Sequence, residues 1–135
     1  MKKLYLLIIV LSSLFVATVR ADSAAVTELF HQYAQEGVTR PDAIVGQRLW
    51  SKTFAAEGEI AERSCSSCHG ENLKQVGKHV KTNKLIEPMA PSVNPARLTK
   101  TREINKWLKR NCKWTLGREC TATEKANLLA YIRQQ

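Results

Sequence analysis

The chain has 135 residues, with 21 Lys and Arg against 12 Asp and Glu, a formal charge of +9, and four cysteines. The positive balance suits an acidic partner, but the basic residues scatter through Lys74 to Lys84 and Lys100 to Arg118 without stacking aromatics or a recognition motif, which argues against nucleic-acid binding. Length allows one small domain.

Lys2 and Lys3, an apolar run from Leu4 to Val19 broken only by small polar residues, and Val19-Arg20-Ala21 read as a secretory signal cleaved after Ala21. The run is too short and too weakly flanked for an anchor, so no stable membrane insertion is expected after cleavage. Cleavage leaves 135 − 21 = 114 residues and removes three of the 21 basic ones, so the net charge falls to 18 − 12 = +6. Export implies an oxidising, periplasmic setting, where four cysteines are compatible with disulfides.

Val26, Leu29, Phe30 and Tyr33 fall at helical spacing and stop at Gly37, a short amphipathic helix. A second helix starts at Pro41-Asp42, with Ile44, Val45, Leu49 and Trp50 as an apolar face around Gly46. Glycine inside a helix is about 1 kcal/mol worse than alanine, so Gly46 hints that another helix crosses closely there.

Cys65-Ser-Ser-Cys68-His69 is the strongest chemical statement in the chain. Two thiols three residues apart reach the two vinyl groups of one haem, and the adjacent His presents an imidazole to iron. A thioredoxin-like pair would need a surrounding βαβ pattern, and zinc would want a second ligand cluster.

From Glu71 to Pro95 periodicity is lost, and Pro88, Pro91 and Pro95 forbid a continuous helix. A middle helix is expected over LTKTREINKWLKRNC, capped by Thr99 or Thr101, with Ile104, Trp107 and Leu108 on one face and Asn111 ending it on that face. After Gly117, Thr121-Ala-Thr-Glu124 is a capping box for a last helix with Leu128, Leu129 and Ile132 as its buried stripe. No strand-like alternation and no internal repeat appear.

This order of elements resembles the class I cytochrome c fold, an all-α fold around one covalently bound haem, over Pro41 to Gln135. The resemblance divides the chain into a signal (1–21), an N-terminal helical extension (22–40) and a cytochrome c domain (41–135). It implies that the first and last helices of the domain cross and that a carbonyl of the proline loop, here Pro88, holds the proximal imidazole.

The candidates for the other side of the iron are Met89, His31, His79, Asn94 and Asn111. Met89 precedes the middle helix and sits among prolines, a place that suits a polarizable filler at the haem edge better than a distal ligand. Asn111 occupies the place where the fold delivers that ligand. Its neutral amide oxygen would tolerate ferric iron and be released from the softer ferrous ion. The residues alone leave two uses for Asn111, ligand and helix C-cap.

PMAPSVNPARLT, EINKWLKRNC, GREC and TATEKANLLAYI are similar to the SHP (sphaeroides haem protein) family of high-spin, oxygen-binding c-type cytochromes. The resemblance implies an Asn distal ligand that leaves on reduction, mapped onto Asn111, and a disulfide beside it, mapped onto Cys112 and Cys120. With Cys65 and Cys68 used by haem, those two cysteines also pair by count; closing so short a loop limits the unfolded chain by about 2–3 kcal/mol. Met89, Trp107 and Pro88 are expected to pack around the haem.

The function implied is an exported monohaem cytochrome that takes electrons from a dihaem cytochrome c, binds oxygen or nitric oxide, and supports an oxygen-dependent oxidation of nitric oxide to nitrate. The other classes are a low-spin His/Met electron carrier using Met89 and a gas sensor or carrier without turnover.

Overall fold

The computed structural model describes residues 23–135, so the signal expected over residues 1–21 lies outside the described residues. Helix α1 (Ala24–Gln35) starts where the Ser23 hydroxyl accepts the Val26 amide, and the chain leaves it at Gly37, with φ 92°. Val26, Leu29 and Tyr33, three and four residues apart, are buried with Ile104, Ala126 and Leu129 in one cluster. The N-terminal segment therefore supplies about half of one core. Thr101 Oγ1 donates to Glu28 Oε2 at 2.6 Å and ties α1 to the start of a later helix.

Helix α2 (Ala43–Ser51) is capped by Asp42 Oδ1, which accepts the Ile44 and Val45 amides at 2.8 and 3.1 Å. Of its expected apolar face, Trp50 is buried, but Ile44 and Val45 are 61% and 42% exposed. The reason is that α2 meets α5 (Ala122–Arg133) through its own backbone at Gly46. A methyl group there would overlap the Asn127 carbonyl oxygen and come within 2.6 Å of the carbonyl carbon and 3.0 Å of Tyr131 Cβ. The close crossing read from Gly46 is present, and its flanking residues turn outward. Buried Asn127 fastens the same crossing, its Oδ1 accepting the Asp42 amide at 2.7 Å.

Between α2 and the fourth helix run loops with two antiparallel ladders: β1 (Phe54–Ala55) with β2 (Glu62–Arg63), and β3 (Gly77–Lys78) with β4 (Leu85–Ile86). Two residues per strand cannot produce a visible period-two pattern, which is why no strand was expected. The one-turn helix α3 (Ser66–His69) lies between the ladders. The class remains all-α.

Helix α4 (Thr101–Leu116) departs from the expected middle helix at both ends. Neither threonine caps it: the N-cap is Lys100 with no side-chain bond, and Thr99 Oγ1 donates to the Ala96 carbonyl. Nor does it stop at Asn111. It runs five residues further, to Leu116, and terminates at Gly117, whose φ of 73° is the left-handed conformation glycine adopts most readily. Asn111 is thus interior to the helix, and the C-cap reading of it is overturned.

Helix α5 opens with the capping box read from the sequence: Thr121 N donates to Glu124 Oε2 at 2.8 Å, and Glu124 N to Thr121 Oγ1 at 3.2 Å. It is buried continuously from Ala126 to Ile132, more than the expected stripe, because α2 and α1 both pack against it. The Cys112–Cys120 disulfide joins α4 to the residue before this cap. Within the short loop, Glu119 Oε1 lies 3.2 Å from both Lys109 and Lys113, and Arg118 grips Glu124 with two bonds of 2.7 Å.

Two outcomes follow from these contacts. Gly46→Ala gains alanine's helix preference of about 1 kcal/mol but drives a methyl into backbone at the upper end of overpacking costs, about 3 kcal/mol, so urea unfolding should show a net loss of about 2 kcal/mol; unchanged stability would mean the crossing is loose. The Arg118 bonds, with help from Thr121, hold the Glu124 carboxyl down from 4.5 to about 2. A depressed acid contributes stability above pH 4.5 that is lost as pH falls towards 2, so melting curves of Glu124→Gln should be flatter with pH across that window.

Candidate haem-binding site

The attachment segment is built by a small hydroxyl network. Ser64 Oγ accepts the Ser67 amide at 3.0 Å and bonds the Ser66 and Ser67 hydroxyls at 2.9 and 2.8 Å, while Ser67 Oγ accepts the Ser64 amide at 3.1 Å. This winds Cys65 to His69 into one turn, so the two cysteines, three apart, share a side. Both thiols are free rather than bridged to each other. Burial pushes the Cys65 thiol up to about 11, the opposite of the lowered value a redox or nucleophilic cysteine needs. Burial, with the charges of Arg97 and His79, lowers His69 to about 4. The imidazole is therefore neutral at pH 7, with a lone pair for a metal.

Three elements position His69. Trp50 of α2 sets its indole 5.4 Å from the imidazole centroid, and its Nε1 donates to the Gly70 carbonyl at 3.0 Å. Gly77 of β3 presses its backbone on the same turn: a Cβ there would strike the Cys68 carbonyl oxygen and lie 2.9 Å from His69 Cα. The proline loop is joined to the segment after the motif by the Met89 and Ala90 amides, both donating to Leu73 O at 2.9 Å.

The Pro88 carbonyl does not hold the imidazole. Arg97 Nε donates to it at 2.9 Å and Asn94 Nδ2 at 3.3 Å, while Arg97 Nη2 takes the Glu87 carbonyl at 2.8 Å. The planar fork of Arg97 spans two consecutive carbonyls, and His69 Nδ1 is buried without a partner.

The five distal candidates separate by what their side chains already do. His31 is exposed on α1. His79 Nδ1 accepts the Lys81 and Thr82 amides at 3.3 and 3.2 Å, the work of a turn residue. Asn94 braces the proline loop, accepting the Ala96 amide as well as donating to Pro88. Met89 packs against the cluster of Trp50, Leu73 and Ala90. Asn111 is half-buried, and among the described residues its amide makes no side-chain hydrogen bond.

The face of α4 that carries Asn111 adjoins the attachment motif. Thr115, one turn on and buried, lies against the Cys65 thiol and partly offsets the upward push of burial on it. Arg63, just before the motif, donates to the Trp114 carbonyl at 3.0 Å and stacks on its ring at 4.8 Å. Trp107, one turn before Asn111, is 45% exposed, with Lys106 and Arg110 over its ring at 5.3 and 5.0 Å.

Sequence reasoning missed Arg97, Thr115, Gly77 and the anchoring role of Trp50. Their roles are tertiary contacts with the motif and carry no local signal, except that a glycine such as Gly77 in an otherwise side-chain-rich stretch can mark close backbone approach. The donor set fits a haem bound through thioethers: two unpaired thiols on one turn, a neutral imidazole directly after them, and, among the described residues, no rival cluster of three His, Cys, Asp or Glu.

Known proteins share this sequence pattern and fold. A family described as a domain of unknown function, DUF1924, matches residues 36–132. The cytochrome c-type protein SHP of Cereibacter sphaeroides is 35% identical over 127 residues, 94% of this chain and 97% of the relative. Cytochrome c'' of Methylophilus methylotrophus is 32% identical over 136 residues, 96% of this chain and 94% of the relative. The structure of oxidised SHP, an oxygen-binding cytochrome c, superposes with a TM-score of 0.74 at 35% identity, covering 85% of this chain and 100% of that one. Oxidised cytochrome c'' gives 0.68 at 31% identity, with 80% and 92% coverage. The chain belongs to the DUF1924 family and, with SHP, to the c-type cytochromes, folded around one covalently attached haem c.

Proposed function

We propose that this is an exported, periplasmic gas-binding cytochrome in which Cys65 and Cys68 would hold the haem covalently, His69 would ligate its iron, and Asn111 would ligate the oxidised ion and be released from the reduced one. The observation that carries the reading is the free amide of Asn111, inside α4 and one turn from Thr115, which touches Cys65. The similarity to SHP, an oxygen-binding cytochrome c, supports oxygen as a ligand, and nitric oxide is a second diatomic that the same position would accept.

Bound haem supplies a one-electron iron couple and a coordination position for a diatomic molecule. The protein supplies the rest. Cys65 and Cys68 fix the ring covalently, and Trp50 and Gly77 fix the orientation of the His69 turn. Asn111 offers a neutral, hard oxygen, which suits the oxidised ion and binds the reduced one poorly. Because α4 is held by the disulfide and by Lys109 and Lys113 to Glu119, Asn111 moves by rotating its side chain on a fixed backbone. Electrons come from a dihaem cytochrome c, and oxygen-dependent oxidation of nitric oxide to nitrate is the reaction served; it requires no acid–base residue.

Asn111→Ala tests the assignment, since alanine is at least as good a helix residue as asparagine and the fold should persist. The ferric spectrum should change, the ferrous spectrum should stay, and ferric affinity for cyanide should rise about tenfold or more, equivalent to removing a competitor worth about 1.4 kcal/mol. An unchanged ferric spectrum sinks the Asn111 assignment. A sulfur-to-iron charge-transfer band that disappears in Met89→Leu would instead establish the His/Met carrier.

A further inference from the structure

The hairpin that follows the attachment motif has a surface chemistry the proposed function does not use. From Asn72 to Ile86 there is no acidic residue, while Lys74, Lys78, Lys81 and Lys84 are all exposed and, among the described residues, make no salt bridge. Between them Val76 and Leu85 are 55% and 75% exposed. Apolar side chains inside a charged rim are the anatomy of a protein interface, and a patch this small suits a short-lived one.

The hairpin is also closed by backbone hydrogen bonds. Gly77 pairs with Ile86 and Lys78 with Leu85, and the turn is closed by His79 N to Lys84 O at 2.8 Å and Asn83 N to His79 O at 2.9 Å. Its backbone rests directly on Cys68 and His69 at Gly77. On the other side of the motif, the β1–β2 hairpin carries Glu57, Glu59 and Glu62, all exposed. Along the chain the attachment turn is thus preceded by a hairpin with three exposed acids beside Arg63 and followed by a basic one, a charge asymmetry that orients an approaching charged protein.

We propose that the β3–β4 hairpin is the docking surface for an electron-donor protein with an acidic face, which places the donor's redox centre next to the Cys68–His69 turn. One electron leaves the donor and reduces the iron from ferric to ferrous, with no bond made or broken between the proteins. This rests on the reading of the chain as a haem protein reduced by another protein, and it adds the place and the sign of the contact.

The test uses the ferric holoprotein and two low-potential donors, fully reduced flavodoxin as an acidic protein probe and the methyl viologen radical cation as a small one. Stopped-flow reduction by flavodoxin should slow about tenfold or more at low salt in Lys78→Glu/Lys81→Glu. The difference should vanish near 1 M salt, where the screening length is about 3 Å. Glu57→Lys/Glu59→Lys should not slow it, and viologen should reduce every form at a similar rate. Amide shifts of labelled holoprotein on adding oxidised flavodoxin should centre on residues 74–86. An unaltered flavodoxin rate in the lysine variant, with viologen still effective, overturns the docking surface and leaves the redox reading standing. Failure of viologen to reduce the protein overturns both. Loss of binding to anionic phosphatidylglycerol vesicles in the lysine variant, with flavodoxin unaffected, assigns the patch to a membrane surface and overturns the proposal.

Discussion

The fold depends on a backbone-to-backbone contact, Gly46 of α2 against the Asn127 carbonyl of α5. With no side chain between them the two helices reach a separation that any other residue would forbid, and that separation fixes where the next turn of α2 lies. Trp50, one turn after Gly46, is thereby wedged between Tyr131, at 5.9 Å between rings, and His69, at 5.4 Å. Its indole N–H then holds the Gly70 carbonyl. The helix crossing and the orientation of the candidate iron ligand are one mechanical unit, because a single residue is packed by the first and packs the second.

A second backbone contact mirrors it on the opposite flank of the motif. Gly77 abuts Cys68 and His69 as Gly46 abuts Asn127. Between Trp50 and Gly77 the attachment turn has little freedom, and the hydroxyl network of Ser64, Ser66 and Ser67 restrains its start. The Arg97 fork on the Glu87 and Pro88 carbonyls does the same for the proline loop. A guanidinium there also keeps a positive charge near the imidazole, which together with burial keeps His69 neutral.

What was legible in the sequence is what short-range chemistry determines. The Cys65–His69 motif, the Thr121–Glu124 capping box and the helix-interior glycine each carry their reason within a few residues, and all three appear in the structure. The end of α4 was misread because asparagine is itself a common helix C-cap, whereas Gly117 is the actual stop: a residue at ease with φ 73° ends this helix cleanly. The roles of Thr99 and Thr101 were out of reach, since Thr101 is claimed by Glu28 from a helix 73 residues earlier. The same holds for Ile44 and Val45, whose exposure follows from how closely another helix approaches rather than from their own phase.

Moving Asn111 from the end of a helix to its interior alters what the proposed ligand exchange requires. A ligand on a loop leaves by deforming backbone, so the pocket differs between oxidation states and the ordering of the loop enters the equilibrium. A ligand on α4 leaves by side-chain rotation. The helix stays where Thr101–Glu28 at one end and the Cys112–Cys120 bridge with Glu119 at the other hold it. On the proposed reading the difference between the two states would reduce to one weak interaction of the Asn111 amide against a change of its side-chain rotamer. On that reading the disulfide would serve the exchange by tying the helix that carries Asn111 to the start of α5.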